Sequence, residues 1–412
     1  MDISFLKPKL SFNKNIRLVL TGGGSGGHTF PLIAVARELK KIAETQNIFL
    51  EIIYVGPDDF TLPYIAKEKG IMIRKITTGK FNRFNRQDAG NNKLMSFFNF
   101  FFNVFKTLGG IFQSLYYVYI LMPDVVFSKG GYGAFPVVFW GIIFFIPTYI
   151  HESDAVPGLV NHITGRFCKK IFISFEHTKE YFPSGKVLLT GNPLRLDLFF
   201  GKNENYDVQN TKKLMNLNAE RPIVAIIGGS QGSEHINDLV LDILPKIISK
   251  VEVIHQTGKT NYNRVQSEAD VVFREIVGSE EDKNYYHPVA FFEETEMPSI
   301  VSLKDVYLVS DLIIARAGSG VIFEIAAAGK PSILIPLPWA SQGHQKKNAY
   351  EYAKSGATIV VEEANLKTNI FSNLVLEVAF NEDKKRRMSQ AAAAFAKPLA
   401  AQHIAQQLLQ GV

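Results

Sequence analysis

Residues Leu18 to Pro31 read as a buried strand that runs into Thr21-Gly22-Gly23-Gly24-Ser25-Gly26-Gly27-His28 and on into an amphipathic helix. Five glycines in six positions leave backbone N–H groups bare, and a helix that starts after such a loop attracts anions through unpaired donors and its dipole. His28 at that mouth puts a titratable ring where a phosphate or a sugar hydroxyl would sit. The pattern returns two hundred residues later, as Ile223–Ile227 followed by Gly228-Gly229-Ser230-Gln231-Gly232-Ser233. Two such units, each opening one half of the chain, predict two Rossmann-like domains.

The rest of the chain fits that division. Strands are expected at Ile16–Leu20, Phe49–Val55, Met72–Ile76, Val125–Ser128, Thr148–Ile150, Lys170–Ile173 and Val187–Leu189, with helical stretches such as Leu32–Ala43 and Thr61–Lys69 between them. Strands alternating with helices imply a parallel, doubly wound α/β sheet. Asn192 to Asn210 lacks periodicity and marks the domain boundary. The second half alternates again: Ile223–Ile227, Glu252–Gln256, Val289–Phe291, Leu312–Ala315, Ser332–Pro336 and Thr358–Val361, with a helical end over Lys384–Leu409.

A chain of 412 residues is too long for one core. A lone cysteine, Cys168, excludes an intramolecular disulfide framework and suits a reducing cytoplasm. Met1–Lys14 has no apolar run of signal-peptide length. The 45 basic and 39 acidic residues leave a net charge of +6, a mild bias that permits anionic lipid or phosphate contact. Zinc-finger spacing, a basic region with heptads and aromatic RNA-binding signatures are all missing, so nucleic acid is not an expected partner.

One segment departs from the alternation. Phe97–Met122 is aromatic and aliphatic throughout and long enough to span a bilayer. Three placements fit it: a span, an ordinary buried helix, or a helix whose outer face lies on a membrane. Gly109-Gly110 and polar residues such as Asn103, Thr107 and Gln113 interrupt it, and it leads straight into the strand Val125–Ser128. A single crossing could not return to the same sheet, which favours the interfacial helix. The loop Lys80–Arg86, which interleaves Phe81 and Phe84 with cations, suits an interfacial anchor.

The glycine loops carry the chemistry. The first is neither the dinucleotide pattern G-x-G-x-x-G with its downstream acid nor a Walker loop. A second turn, Ser128-Lys129-Gly130-Gly131-Tyr132-Gly133, lets a sugar or phosphate approach the backbone. A third, His151-Glu152-Ser153-Asp154, follows a strand expected to end at Ile150. In a parallel sheet these turns share the carboxyl edge, where ligands bind. In the second half Arg316-Ala317-Gly318-Ser319-Gly320 opens a helix suited to a diphosphate, and Glu324 one to two turns in can take two hydrogen bonds from a ribose diol. His344 and Gln345 follow in a polar loop that could read sugar hydroxyls.

In order along the chain, TGGGSGGHTFPLIAVA, PDVVFSKGGYGAFP, HESDAVPGLVN, LTGNPLR, GGSQGSEHIN, ARAGSGVIFEIAAAGKPSILIPLP and GHQKKNA resemble the MurG-type N-acetylglucosaminyltransferases of the two-Rossmann GT-B fold. The resemblance runs from Thr21 to Ala349. It implies two Rossmann-like domains facing across a cleft. Residues 1–195 would form an acceptor- and membrane-binding domain, residues 196–390 a UDP-sugar-binding domain, and residues 391–412 a helix returning to the first domain. It implies an inverting transfer of N-acetylglucosamine from UDP-N-acetylglucosamine to the 4-hydroxyl of an undecaprenyl-diphosphate-linked muramoyl peptide. That reaction uses no cofactor and no required metal, and it takes place peripherally on the cytoplasmic side of the plasma membrane, against an anionic membrane surface.

The same resemblance assigns roles. Ser230 and Gln231 would contact nucleotide or diphosphate, Arg195 and the Phe291–Phe292 backbone would frame uracil, and Glu324 would hold the ribose. Gly318 and Ser319 would lie near the diphosphate, with His344 and Gln345 at the amino sugar. Ser25, Gly26, Gly27, Gly130, Gly131 and Tyr132 would meet the acceptor diphosphate, and His28 or Glu152 would be the base. The family's third loop often reads His-Glu-Gln-Asn, so Asp154 brings an acid to an anionic acceptor. Alternatives are a GT-B transferase with another lipid acceptor and a catalytically silent, membrane-bound UDP-sugar-binding subunit. A Rossmann dehydrogenase lacks its fingerprint spacing.

Overall fold

The computed structural model describes residues 14–24, 26–59, 61–79, 93–194, 207–218, 220–229, 232–279, 281–292 and 302–411, with the backbone alone for 93–101 and 104. Ser25, Arg195, Ser230, Gln231 and the Lys80–Arg86 loop therefore lie outside the described residues.

Two compact units divide the chain. The first comprises Met1–Ser153, Pro157–Arg195 and Leu399–Val412, and the second Leu196–Pro398 with the short insert Asp154–Val156. Strands of the first unit are β1 (Lys14–Thr21), β2 (Ile48–Pro57), β3 (Ile71–Ile76), β4 (Val125–Ser128), β5 (Thr148–Glu152), β6 (Lys170–Ile173) and β7 (Val187–Leu189). Its helices are α1 (Gly26–Thr45), α2 (Leu62–Ala66), α3 (Lys93–Leu121), α4 (Phe135–Ile143) and α5 (Leu159–Thr164). The second unit holds β8 (Ile223–Ile227), β9 (Glu252–Gln256), β10 (Tyr286–Val289), β11 (Leu312–Ala315), β12 (Ser332–Leu334) and β13 (Thr358–Val360). Between and after these strands come α6 (Val208–Leu214), α7 (Glu234–Ile247), α8 (Tyr262–Val272), α9 (Leu303–Val309), α10 (Ser319–Ala327), α11 (His344–Ala353), α12 (Thr368–Phe380) and α13 (Glu382–Phe395). A last helix, α14 (Ala400–Gln410), belongs to the first unit.

Both sheets are parallel, in the orders β3-β2-β1-β4-β5-β6-β7 and β10-β9-β8-β11-β12-β13. Near-continuous runs such as Ile223-Val224-Ala225-Ile226-Ile227 are buried throughout because helices cover both faces. In each sheet the strand order reverses at one place. Leu18 pairs with both Ile52 and Val125, and Ala225 with both Ile254 and Ile313. In open α/β sheets, ligands bind beyond the strand ends at such a switch point. The glycine loops after β1 and β4 flank the first, and those after β8 and β11 flank the second.

α1 lays Leu32, Val35, Ala36 and Leu39 on one face of the first sheet, and α14 adds Ile404, Ala405 and Leu408 to the same core. The other face is covered by α3 and α4, where Val118 and Val137 pack on Val19, Ile53 and Val126. Gly110 is essential there: a Cβ on it would lie 1.9 Å from the Thr77 carbonyl oxygen. Trp140 Nε1 donates to the Ile111 carbonyl at 2.8 Å and fixes α4 against α3. Phe102, Phe105, Phe112, Tyr116 and Tyr119 recur at helical spacing and are all exposed, Phe112 to 68%. Among the described residues no helix is long and apolar enough to cross a membrane.

Two local expectations are corrected. β5 runs through Glu152, so His151 and Glu152 are strand residues paired with Phe172 and Ile173, not loop residues. Polar side chains at a strand end are tolerated because both find partners in the interior. β10 lies at Tyr286–Val289 instead of Val289–Phe291. Pro288, which discourages a strand assignment, fits because β10 is an edge strand paired only with β9. The chain past 390 also differs in layout: α13 continues to Phe395, and the return to the first unit begins at Leu399.

Candidate active site

In the first unit the two glycine loops meet. Lys129 N donates to the Thr21 carbonyl at 3.0 Å, which sets the β4 turn beside the β1 loop. Gly131 has φ of +83°, and a Cβ there would lie 2.5 Å from the Gly23 carbonyl oxygen and 3.3 Å from Cε1 of His28. The His28 imidazole therefore rests on Gly131, and the ring of Tyr132 covers Gly24. α1 begins at Gly26, so Gly26 and Gly27 offer first-turn N–H groups and His28 stands within that turn. His28, Gly26, Gly27, Gly131 and Tyr132 are thus gathered around one helix start. Gly130 abuts Asn161 instead: a Cβ would lie 2.8 Å from its Nδ2.

Beneath these loops lies a buried polar chain. Lys129, 1% exposed, places Nζ 2.7 Å from Nδ1 of His151, whose Nε2 lies 2.9 Å from the Gly191 carbonyl oxygen. An ammonium only donates, so Nδ1 accepts and Nε2–H donates to Gly191. Burial first, and then the Lys129 charge, holds the His151 pKa well below the usual histidine value. Glu152 is equally enclosed. Its Oε2 accepts from Gly158 N at 3.0 Å and Asn161 Nδ2 at 2.9 Å, closing the turn that leads into α5. This geometry gives Glu152 a turn-holding role and leaves His28 as the imidazole at the loop surface.

In the second unit Gly318 is the N-cap of α10 and Ser319 its first residue. Among the described residues, a Cβ on Gly318 or Gly320 would meet nothing within 4 Å. Glu324 is held by α9: Tyr307 Oη donates to its Oε2 at 2.9 Å. Tyr307 is fully buried, and burial followed by the Glu324 charge pushes its phenol well up, so it remains a donor. Arg316, also buried, reaches Ser233 Oγ at 2.7 Å and the Ile335 carbonyl oxygen at 3.2 Å, and pairs with Glu363. It ties the loop after β8 to the ends of β12 and β13.

The loop before α11 turns through Gln342 and Gly343, both with positive φ. His344 Nδ1 donates to the Ser341 carbonyl at 2.6 Å. Gln345 Oε1 accepts from Leu337 N at 3.0 Å, leaving its amide nitrogen to donate. Asn348, wholly buried, accepts from Ala155 N at 2.7 Å and donates to Asp154 Oδ1 at 2.8 Å. Asp154 thus has an amide donor on its carboxylate. Phe292 is packed on Ile223 and Ile254, and the Phe291 ring lies 5.5 Å from Lys259 Nζ. Among the described residues no three His, Cys, Asp or Glu side chains cluster as a metal site would.

Sequence reading gave no role to Lys129, Asn161, Arg316 or Asn348, although each lies inside a motif. Tyr307 carried no signal, since an aromatic residue on an amphipathic helix reads as core.

The glycosyltransferase family 28 N-terminal domain matches residues 18–173 and the family 28 C-terminal domain residues 223–404. A UDP-N-acetylglucosamine–N-acetylmuramyl-(pentapeptide) pyrophosphoryl-undecaprenol N-acetylglucosamine transferase of Clostridium tetani is 32% identical over 89% of this chain and 91% of its own. The transferase of the same name from Clostridium novyi is 34% identical over 90% of this chain and 92% of its own. Among solved structures, Acinetobacter baumannii MurG shares the fold with a TM-score of 0.70 at 23% identity, covering 96% of this chain and 99% of that one. A UDP-GlcNAc 2-epimerase from Neisseria meningitidis does so at 0.61 and 14% identity, covering 96% and 100%. The chain belongs to glycosyltransferase family 28 and, within it, to the MurG-type N-acetylglucosaminyltransferases.

Proposed function

We propose that the protein transfers N-acetylglucosamine from UDP-N-acetylglucosamine to the 4-hydroxyl of undecaprenyl-diphosphate-linked N-acetylmuramoyl peptide, converting lipid I to lipid II in peptidoglycan synthesis. The observation that carries this reading is the likeness, over about nine tenths of the chain, to transferases of that name. The second unit takes the donor. Glu324, oriented by Tyr307, accepts from the ribose hydroxyls, and the first-turn amides of α10 face the diphosphate. His344 Nε2 and the Gln345 amide read the amino sugar. Ser230 and Gln231 contact the nucleotide, and Arg195 with the Phe291–Phe292 backbone frames the base. The first unit takes the acceptor diphosphate on the loops around Gly26, Gly27, Gly130 and Gly131.

His28 removes the proton of the acceptor 4-hydroxyl as that oxygen attacks C1, and UDP departs with its developing charge met by backbone dipoles. His28 is favoured over Glu152 because Glu152 Oε2 is already engaged by Gly158 N and Asn161 Nδ2 within a closed turn. The exposed aromatic face of α3 holds the protein peripherally on the cytoplasmic side of the plasma membrane, with Lys106 snorkelling beside Phe102 at 4.4 Å from the ring centroid.

The test is radiolabel transfer from UDP-N-acetylglucosamine to short-chain lipid I, with diacylglycerol as the rival acceptor, with and without EDTA. Transfer to lipid I alone, surviving the chelator, is expected. Label in diacylglycerol would point to another acceptor, no transfer would favour a silent binding subunit, and a chelator-sensitive rate would contradict diphosphate stabilisation by helix starts.

A further inference from the structure

The loop after β2 brings a carboxylate onto the first glycine loop. Asp59 Oδ2 accepts from Gly24 N at 2.8 Å and lies 3.2 Å from where a Cβ on Gly23 would sit. Its Oδ1 accepts from Thr61 N at 2.9 Å and from the Thr61 hydroxyl at 2.5 Å. Thr61 Oγ1 in turn accepts from Thr29 Oγ1 at 2.8 Å, with both threonines buried. Thr29 follows His28 in the first turn of α1. One hydrogen-bonded chain therefore links the turn that carries His28 to the amide of Gly24. The ring of Tyr132 covers Gly24 from the other loop, and after burial it is the Asp59 charge that pushes the Tyr132 phenol up. Among the described residues Asp59 has no ion pair, whereas its neighbour Asp58 pairs with Lys75 at 2.9 Å.

This arrangement is at odds with a loop built only to attract anions. A loop amide beside the helix start is already taken by a carboxylate. We propose that Asp59 is an affinity-setting residue that stands in for a phosphate on the glycine loop: the acceptor's diphosphate competes with it for Gly24 N–H and binds against its carboxylate. The inference rests on the acceptor-site reading above. Asp59 holds the loop shaped while the site is empty and weakens the binding of every diphosphate there, substrate and product alike. Interactions shared by both states set KM and product retention, not the chemical step.

The probe is inorganic pyrophosphate, titrated as an inhibitor against short-chain lipid I at saturating UDP-N-acetylglucosamine. In the native protein it should compete with the acceptor. In Asp59→Asn, and in Asp59→Ser, which can still cap the turn to Thr61, the pyrophosphate inhibition constant and the acceptor KM should both fall. The expected drop is roughly two- to fivefold, the size of one solvent-screened charge interaction, with donor KM unmoved. A merely structural Asp59 would leave pyrophosphate inhibition unchanged or raise both constants, which would overturn the proposal. Pyrophosphate that fails to compete with the acceptor in the native protein would overturn the acceptor-site reading as well. Selective 15N-glycine spectra of the native protein need no variant: the Gly24 resonance should move on adding pyrophosphate, and one that stays fixed refutes the competition.

Discussion

At the scale of residues, support is what separates a functional side chain from its neighbours. Glu324, the carboxylate proposed to hold the ribose, is itself held by the buried, protonated Tyr307. Losing a charged hydrogen bond of this kind costs about 1.5–3 kcal/mol, so Glu324→Ala should weaken UDP binding by that amount in calorimetry with an unchanged circular dichroism spectrum. Unaltered affinity would remove Glu324 from the donor site. His28→Ala should lower kcat by roughly 10²–10⁴ with little change in donor KM; a rise confined to acceptor KM would make His28 a phosphate ligand only. The interior histidines carry a separate signature. His151 is pulled well below its ordinary pKa of 6.5 by burial and then Lys129, and His255 down to about 3 by burial. Below 6.5 the unfolded chain binds protons that the folded chain refuses, so this stability is present above that pH and lost as pH falls. Each histidine contributes a slope of about 1.4 kcal/mol per pH unit. Urea unfolding between pH 7 and 5 should show that decline, with a shallower one in His255→Gln; a flat profile would contradict neutral burial.

At the scale of elements, the strands and glycine turns were legible because a parallel sheet buried on both faces needs long apolar runs, and tight strand-to-helix turns need glycine. Val125–Ser128, Lys170–Ile173 and Ile223–Ile227 fall where their patterns end. The failures are also physical. His151 reads as loop because its partners Lys129 and Gly191 are distant in sequence and close only in the fold, and Glu152 because its bonds to Gly158 and Asn161 form only once the following turn is made. β10 was displaced because an edge strand accepts Pro288. Helix α3 combines both cases: its inner face, with Ser114 and Val118 buried, is ordinary sheet cover, while its outer aromatic stripe is exposed. Phe105→Asp with Phe112→Asp should therefore reduce flotation with anionic liposomes while leaving the melting temperature nearly unchanged, since both rings are exposed. Undiminished flotation would move the membrane contact elsewhere.

At the scale of the molecule, two units of one architecture each carry glycine loops at their own switch point, and the side chains around them differ by task. The first unit offers an imidazole and a carboxylate bound to a loop amide beside a helix start. The second offers a tyrosine-held carboxylate and a helix start capped by Gly318. That division was visible in the order of the sequence motifs, whereas the supports beneath it, from Tyr307 to Asn348, required the fold. A single displacement, with the proton taken by a base and no covalent sugar on the protein, inverts the anomeric centre. The most direct measurement is the NMR anomeric configuration of the disaccharide made from UDP-α-N-acetylglucosamine and short-chain lipid I. A β linkage to the 4-hydroxyl of the muramoyl residue is the expected product, and an α linkage, or sugar on another hydroxyl, would contradict the assignment.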